Sequence, residues 1–154
     1  MLPVASVASA PRGLCRVRRL LQEDVPRVEQ PPALPTRFQI DVAAIERTGR
    51  SFEAMLEQRL CAQARRRLGS APLLELIRQH CAEDFEFLHP DLPLLEACFR
   101  MFLLNENKPL TVAELRQELD HWPSFAERLR LLTDEQVAAL FQRDRYYSIR
   151  PLAE

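Results

Sequence analysis

From residue 38 onward the chain falls into apolar stripes at helical spacing, separated by short polar caps and turns. Phe52, Leu56, Leu60, Ala64 and Leu68 recur every four residues behind Ser51, a good N-cap, and Gly69 follows, so the pattern predicts one helix from Ser51 to Leu68. Ser70 and Pro72 open a second helix to about Cys81, with Leu73, Leu76 and Ile77 on its buried side. Leu94, Leu95, Cys98, Phe99, Phe102 and Leu103 form another stripe. Asn105-Glu-Asn-Lys-Pro109 stops it with residues that tolerate a left-handed backbone or forbid continuation. Thr111-Val-Ala-Glu114 and Thr133-Asp-Glu-Gln136 have capping-box spacing and each opens a helix. The first of these turns Leu110, Leu115 and Leu119 inward, the second Val137, Leu140 and Phe141. The joint Asp84–Pro90 carries Phe85 and Phe87, both expected to dock the helical layers together.

Two segments alternate with period two instead. Arg37-Phe-Gln-Ile-Asp-Val42 reads as a short strand leading into a brief helix, with Asp41 equally able to cap a helix that runs to Thr48 before Gly49. Arg145 to Pro151 alternates like a half-buried strand closed by its proline. Between the capped helices, Asp120 to Leu132 is a spacer whose aromatics Trp122 and Phe125 read as extra core, with a partner-binding ridge as the alternative. The expected fold is mainly α, with a C-terminal unit over 90–152, two additional helices in an extension over 38–89, and a short β element.

Residues 1–37 hold six of the twelve prolines and no long periodic segment, and are expected to form a disordered arm. Within it, Leu14 to Leu21 has the pattern of a short basic amphipathic helix. Three readings stand for this region: a mitochondrial transit peptide if the source is eukaryotic, a start assigned upstream of the true one, or a simple floppy arm. Cytoplasmic location is the working expectation, with mitochondrial location attached to the first reading.

Composition narrows the function more by exclusion than by assertion. A chain of 154 residues with 47% hydrophobic residues can bury a real core, and it lacks an apolar run near the roughly 20 residues that cross a bilayer, so no membrane role is expected. The net charge of -1 offers no global pull on polyanions. Residues 1–89 carry 13 Arg against 11 acids, whereas residues 90–154 carry 8 Arg or Lys against 11 acids, which leaves the C-terminal part at -3.

Cys15, Cys61, Cys81 and Cys98 show no C-x-x-C pair and are expected to be reduced structural thiols. His80, His89 and His121 fall in different segments without a nucleophile motif, and three glycines leave no phosphate-cradling loop. No enzyme, cofactor or metal is expected. Arg65-Arg66-Arg67 suits a helix C-terminus, where cations meet free carbonyls, and otherwise offers a basic patch to a nucleic-acid backbone or an acidic partner.

Over residues 92–152 the order of helix end, short strand, capped helix and late strand resembles winged helix-turn-helix domains, and most nearly the type found in the bacterial RNA polymerase delta subunit. The residues that carry the resemblance are Asn105 to Leu115 and Tyr146-Tyr-Ser-Ile-Arg150. It implies DNA binding or protein docking in transcription, with the third helix as the reading element. The sequence departs from a DNA reader because that helix opens with Asp134-Glu135 and offers only Gln136 and Arg143 as contact groups, and because only one strand follows it. The first expectation is therefore a non-catalytic module whose partner is another protein. The second is a DNA-binding regulator using Arg65, Arg66 and Arg67 with Arg143, Arg145 and Arg150. A homodimer through the Ser51–Leu68 helix is a further possibility, and Trp122 completes the set of candidate contacts.

Overall fold

Strand β1 (Arg37–Ile40) runs between β2 (Leu110–Thr111) and β3 (Ile149–Pro151) and pairs antiparallel with both. This is the organising feature of the computed structural model, which describes residues 35–153. The alternation of Arg37 to Ile40 explains the placement, since Phe38 and Ile40 face the core while Arg37 and Gln39 face outward. Asn107 completes the central strand from the side. Its amide Nδ2 donates to the Ile40 carbonyl at 3.0 Å while its Oδ1 accepts from the Ile40 N–H at 2.9 Å. Asn107 reaches this position from a left-handed backbone (φ 56°), which asparagine tolerates better than other non-glycine residues. The turn after the long stripe thus does more than stop a helix.

The four side-chain caps appear where the residues place them. Asp41 accepts from Ala44 N and opens α1 (Val42–Arg47), and Ser51 accepts from Ala54 N and opens α2 (Phe52–Glu57). Both capping boxes form, at α6 (Val112–Leu119) and α8 (Asp134–Arg143). Helix α4 (Leu73–His80) follows Pro72, and α5 (Leu94–Leu104) follows Pro93 and buries most of its length.

Several expectations need correction. The helix from Ser51 to Leu68 is broken into α2 and α3 (Ala62–Arg65) at Cys61, whose extended backbone (φ -67°, ψ 165°) interrupts the helical path. The groups released by the break are satisfied: Arg65 donates to the carbonyls of Leu60 and Gln58, and the Cys61 N–H donates to Cys81 Sγ. Leu68, expected inside, is half exposed.

The spacer from Asp120 to Leu132 contains a helix of its own, α7 (Pro123–Arg130), with Pro123 in the first turn where its missing N–H costs nothing. The joint divides its aromatics, Phe87 being buried while Phe85 is exposed and meets the His89 ring edge-on at 5.8 Å. The late strand is also shorter than its alternation, since Asp144 accepts from the N–H groups of Tyr146 and Tyr147 and holds a turn before β3.

The result is mainly helical, with four helices preceding α5, the expected brief helix and two longer ones having become four because the Ser51–Leu68 stretch is split. One hydrophobic cluster joins Phe38 and Ile40 to Leu56, Ile77, Phe99, Phe102, Leu119, Phe125, Phe141 and Ile149. That core runs across the boundary at residue 89, and the described residues form one unit. The arm over 1–34, with its basic segment and Cys15, lies outside the described residues. Among the described residues no helix is long and apolar enough to cross a membrane.

Candidate functional site

Among the described residues one groove lies beside Trp122. Helix α6 ends at Leu119, which is fully buried, and the chain turns so that the Trp122 N–H donates to the Leu119 carbonyl at 2.9 Å. The Trp122 carbonyl then accepts from Phe125 and Ala126 and starts α7. Trp122 is thereby held between two anchored residues, Leu119 and Phe125, with its own side chain only half-buried. Met101 and Leu104 of α5 lie beside it, with Ala82 and Asn105, and Glu118 and His121 line the rim. The groove measures about 360 Å³. An apolar floor with a few polar groups at the edge is the usual make-up of a recognition site.

The other sequence candidates are dispersed, and several are already committed. Gln136 spends its side chain on the capping box, accepting from the Thr133 N–H at 2.9 Å. Arg65 bonds the carbonyls at the α2–α3 break, and Arg150 donates to the Phe141 carbonyl at the end of α8. Arg143 and Arg145 are exposed on the last turn of α8 and the loop after it. Arg66 and Arg67 are exposed beside Gln63, and neither has a carboxylate within 4.0 Å among the described residues. No hydrogen bond or ion pair among the described residues links the α3 arginines to Arg143, Arg145 or Arg150.

The start of α8 is acidic at its surface. Asp134 accepts from Arg116 Nε at 3.0 Å, and the rest of that guanidinium donates to the carbonyls of Leu129 and Leu132, so Arg116 fastens α6 to the end of α7. Glu135 is exposed, and its backbone N–H and Thr133 hold its carboxyl below the ordinary value.

The strongest electrostatic cluster was not foreseen from the residues. Glu96 of α5 accepts from Arg59 Nε at 2.7 Å and Nη2 at 3.0 Å, and from Arg100 Nε at 2.7 Å. Arg59 lies over the Phe99 ring at 4.9 Å and Arg100 over Phe87 at 5.3 Å. Burial raises the Glu96 carboxyl, but its bonds to Arg59 and Arg100 outweigh that and hold it at about 2. Burial would likewise lower Arg59, and the Glu96 partner leaves it raised instead. Only the i,i+4 spacing of Glu96 and Arg100 was available locally as a signal. Arg59 Nη1 also donates to the Met55 carbonyl and Arg100 Nη1 to the Phe87 carbonyl, so the cluster is a structural tie between the end of α2 and α5.

The histidines stay apart from one another in role: His89 meets Phe85 edge-on, His121 sits on the groove rim, and the His80 carbonyl accepts from Cys61 Sγ. Among the described residues no group of three or more His, Cys, Asp or Glu side chains is placed to hold a metal ion. Comparison with known proteins gives no match to a family model, a curated protein or a solved structure.

Proposed function

We propose that the chain is a non-catalytic, winged-helix-like interaction module whose groove at Trp122 takes a short basic segment of a protein partner, in a setting associated with transcription. The observation that carries this reading is the groove itself: a positioned indole beside Met101 and Leu104, with Glu118 at the rim. An apolar anchor entering such a groove buries surface worth roughly 25 cal/mol per Å². Glu118, exposed at the rim, selects Lys or Arg beside that anchor. The winged-helix part of the reading draws support from the order α5, β2, α6, α8, β3, into which α7 is inserted between α6 and α8, with β1 lying between the strands where a second wing strand would otherwise pair.

Selection of a displayed library of random peptides against the full chain tests this. Enriched peptides are expected to carry one large apolar residue flanked by Lys or Arg, and to shift the emission of the single tryptophan when they bind. Trp122→Ala is expected to weaken them at least tenfold with the fold intact. Enriched peptides that bind the alanine variant equally well would remove the groove from the proposal.

A second reading, contact with a nucleic-acid backbone, rests on Arg66 and Arg67 standing exposed without a carboxylate partner. Anisotropy of a labelled mixed-sequence DNA duplex at low and physiological salt measures it directly. Binding that drops steeply with salt, and drops further in the Arg66→Ala, Arg67→Ala double variant, would establish phosphate contacts. Two phosphate contacts give a salt slope of only about -1.8, so the interaction-module reading expects no binding at physiological salt.

A further inference from the structure

The break that separates α2 from α3 brings two thiols together. Cys61 is the extended residue at the break and Cys81 caps the end of α4, and their sulfurs lie 2.6 Å apart. A disulfide bond measures about 2.0 Å, so little movement separates this contact from a covalent link. The pair is held on both sides: the Cys61 N–H donates to Cys81 Sγ at 3.3 Å, and Cys61 Sγ donates to the His80 carbonyl at 3.4 Å. Cys98, buried on α5, makes no sulfur contact among the described residues.

We propose that Cys61 and Cys81 form an intramolecular disulfide when the folded protein meets a peroxide. In the first step the Cys61 thiolate attacks one oxygen of hydrogen peroxide. The O–O bond breaks, a sulfenic acid forms on Cys61, and the departing hydroxide takes up the thiol proton as water. In the second step the Cys81 sulfur attacks the Cys61 sulfur, the S–S bond forms, and the S–O bond breaks. The hydroxyl leaves with the Cys81 proton as a second water. Two thiols are oxidised by two electrons while the peroxide is reduced to two waters.

The reaction starts at Cys61, which is 8% exposed where Cys81 is 0% exposed. Burial pushes the Cys81 thiol up to about 12, which makes closure of the pair slow. The product pins the α2–α3 joint to the end of α4 across a 20-residue separation.

The test is peptide mapping of the full chain after hydrogen peroxide, with denaturing alkylation and a digest kept free of reductant. The expected product is a Cys61–Cys81 linked peptide pair, with Cys98 recovered alkylated. The melting temperature should rise by roughly 10 °C and fall back after dithiothreitol. Cys81→Ala, which removes the resolving sulfur while leaving a small apolar side chain, should lose the linked pair and the rise together. Cys61 linked instead to Cys15 or Cys98, or Cys61 and Cys81 both recovered singly alkylated after prolonged oxidation, overturns the proposal.

Discussion

Replacing Glu96 with alanine is expected to destabilise the protein by about 3–5 kcal/mol, the size of effect seen when one partner of a buried ion pair is removed and the other charge is left behind. Here two charges are left. The side chains of Arg59 and Glu96 are each 9% exposed and that of Arg100 is 17% exposed, so water does not readily replace the lost carboxylate. Arg59 also bonds the Met55 carbonyl and lies on Phe99, so the loss propagates into α2. The same cluster sets a pH window. The Glu96 carboxyl lies at about 2 in the fold against an ordinary 4.5, so the unfolded chain binds the proton more tightly. Its stabilisation is fully present above about pH 4.5 and is lost as pH falls from there through about 2. Thermal melts of the natural chain and of Glu96→Gln across that range should therefore converge toward acid. A gap that stayed constant with pH would exclude Glu96 as the source.

A fragment comprising residues 90–154 is expected not to fold, despite carrying α5 and both capping boxes. It lacks β1, so β2 and β3 lose the strand that each of them pairs with. It lacks Phe38, whose ring meets Phe141 edge-on at 5.2 Å, and it leaves Glu96 without Arg59. Within the intact chain, Phe38→Ala alone should cost about 3–5 kcal/mol, as large aromatic truncations in a core do. Circular dichroism of the fragment should show no cooperative melt and no near-ultraviolet signal from its tryptophan. A cooperative transition in the fragment would mean that residues 90–154 carry a sufficient core of their own.

The unexpected elements share a cause. The break at Leu60-Cys61 arises because four-residue spacing describes only one face, while the core here also claims Cys61 for a partner 20 residues away. Helix α7 is not legible in the sequence because Pro123, which starts it, also resembles a loop residue, and Trp122 before it supplies no side-chain cap. The groove was half visible: Trp122 could be singled out as a residue, but Met101, Leu104 and Ala82 reach it from α5 and the end of α4. Dispersal of the arginines has a similar origin, since a side chain such as Arg65 or Arg150 reads as free until the carbonyl that it caps is known.

What the sequence determined by itself is the set of features completed within about four residues. The caps at Asp41, Ser51, Thr111 and Thr133, the stop after Leu104 and the inward faces of α5, α6 and α8 all follow from local hydrogen bonding and helical period. Tertiary structure alone decided the partners: β1 at the centre of the sheet, Asn107 on Ile40 across 67 residues, Arg59 on Glu96 across 37, and the Cys61–Cys81 contact. Local propensity is written in neighbouring residues, whereas which surface is hidden and which charge must be matched depends on burial against distant segments, and burial exists only once the chain has folded.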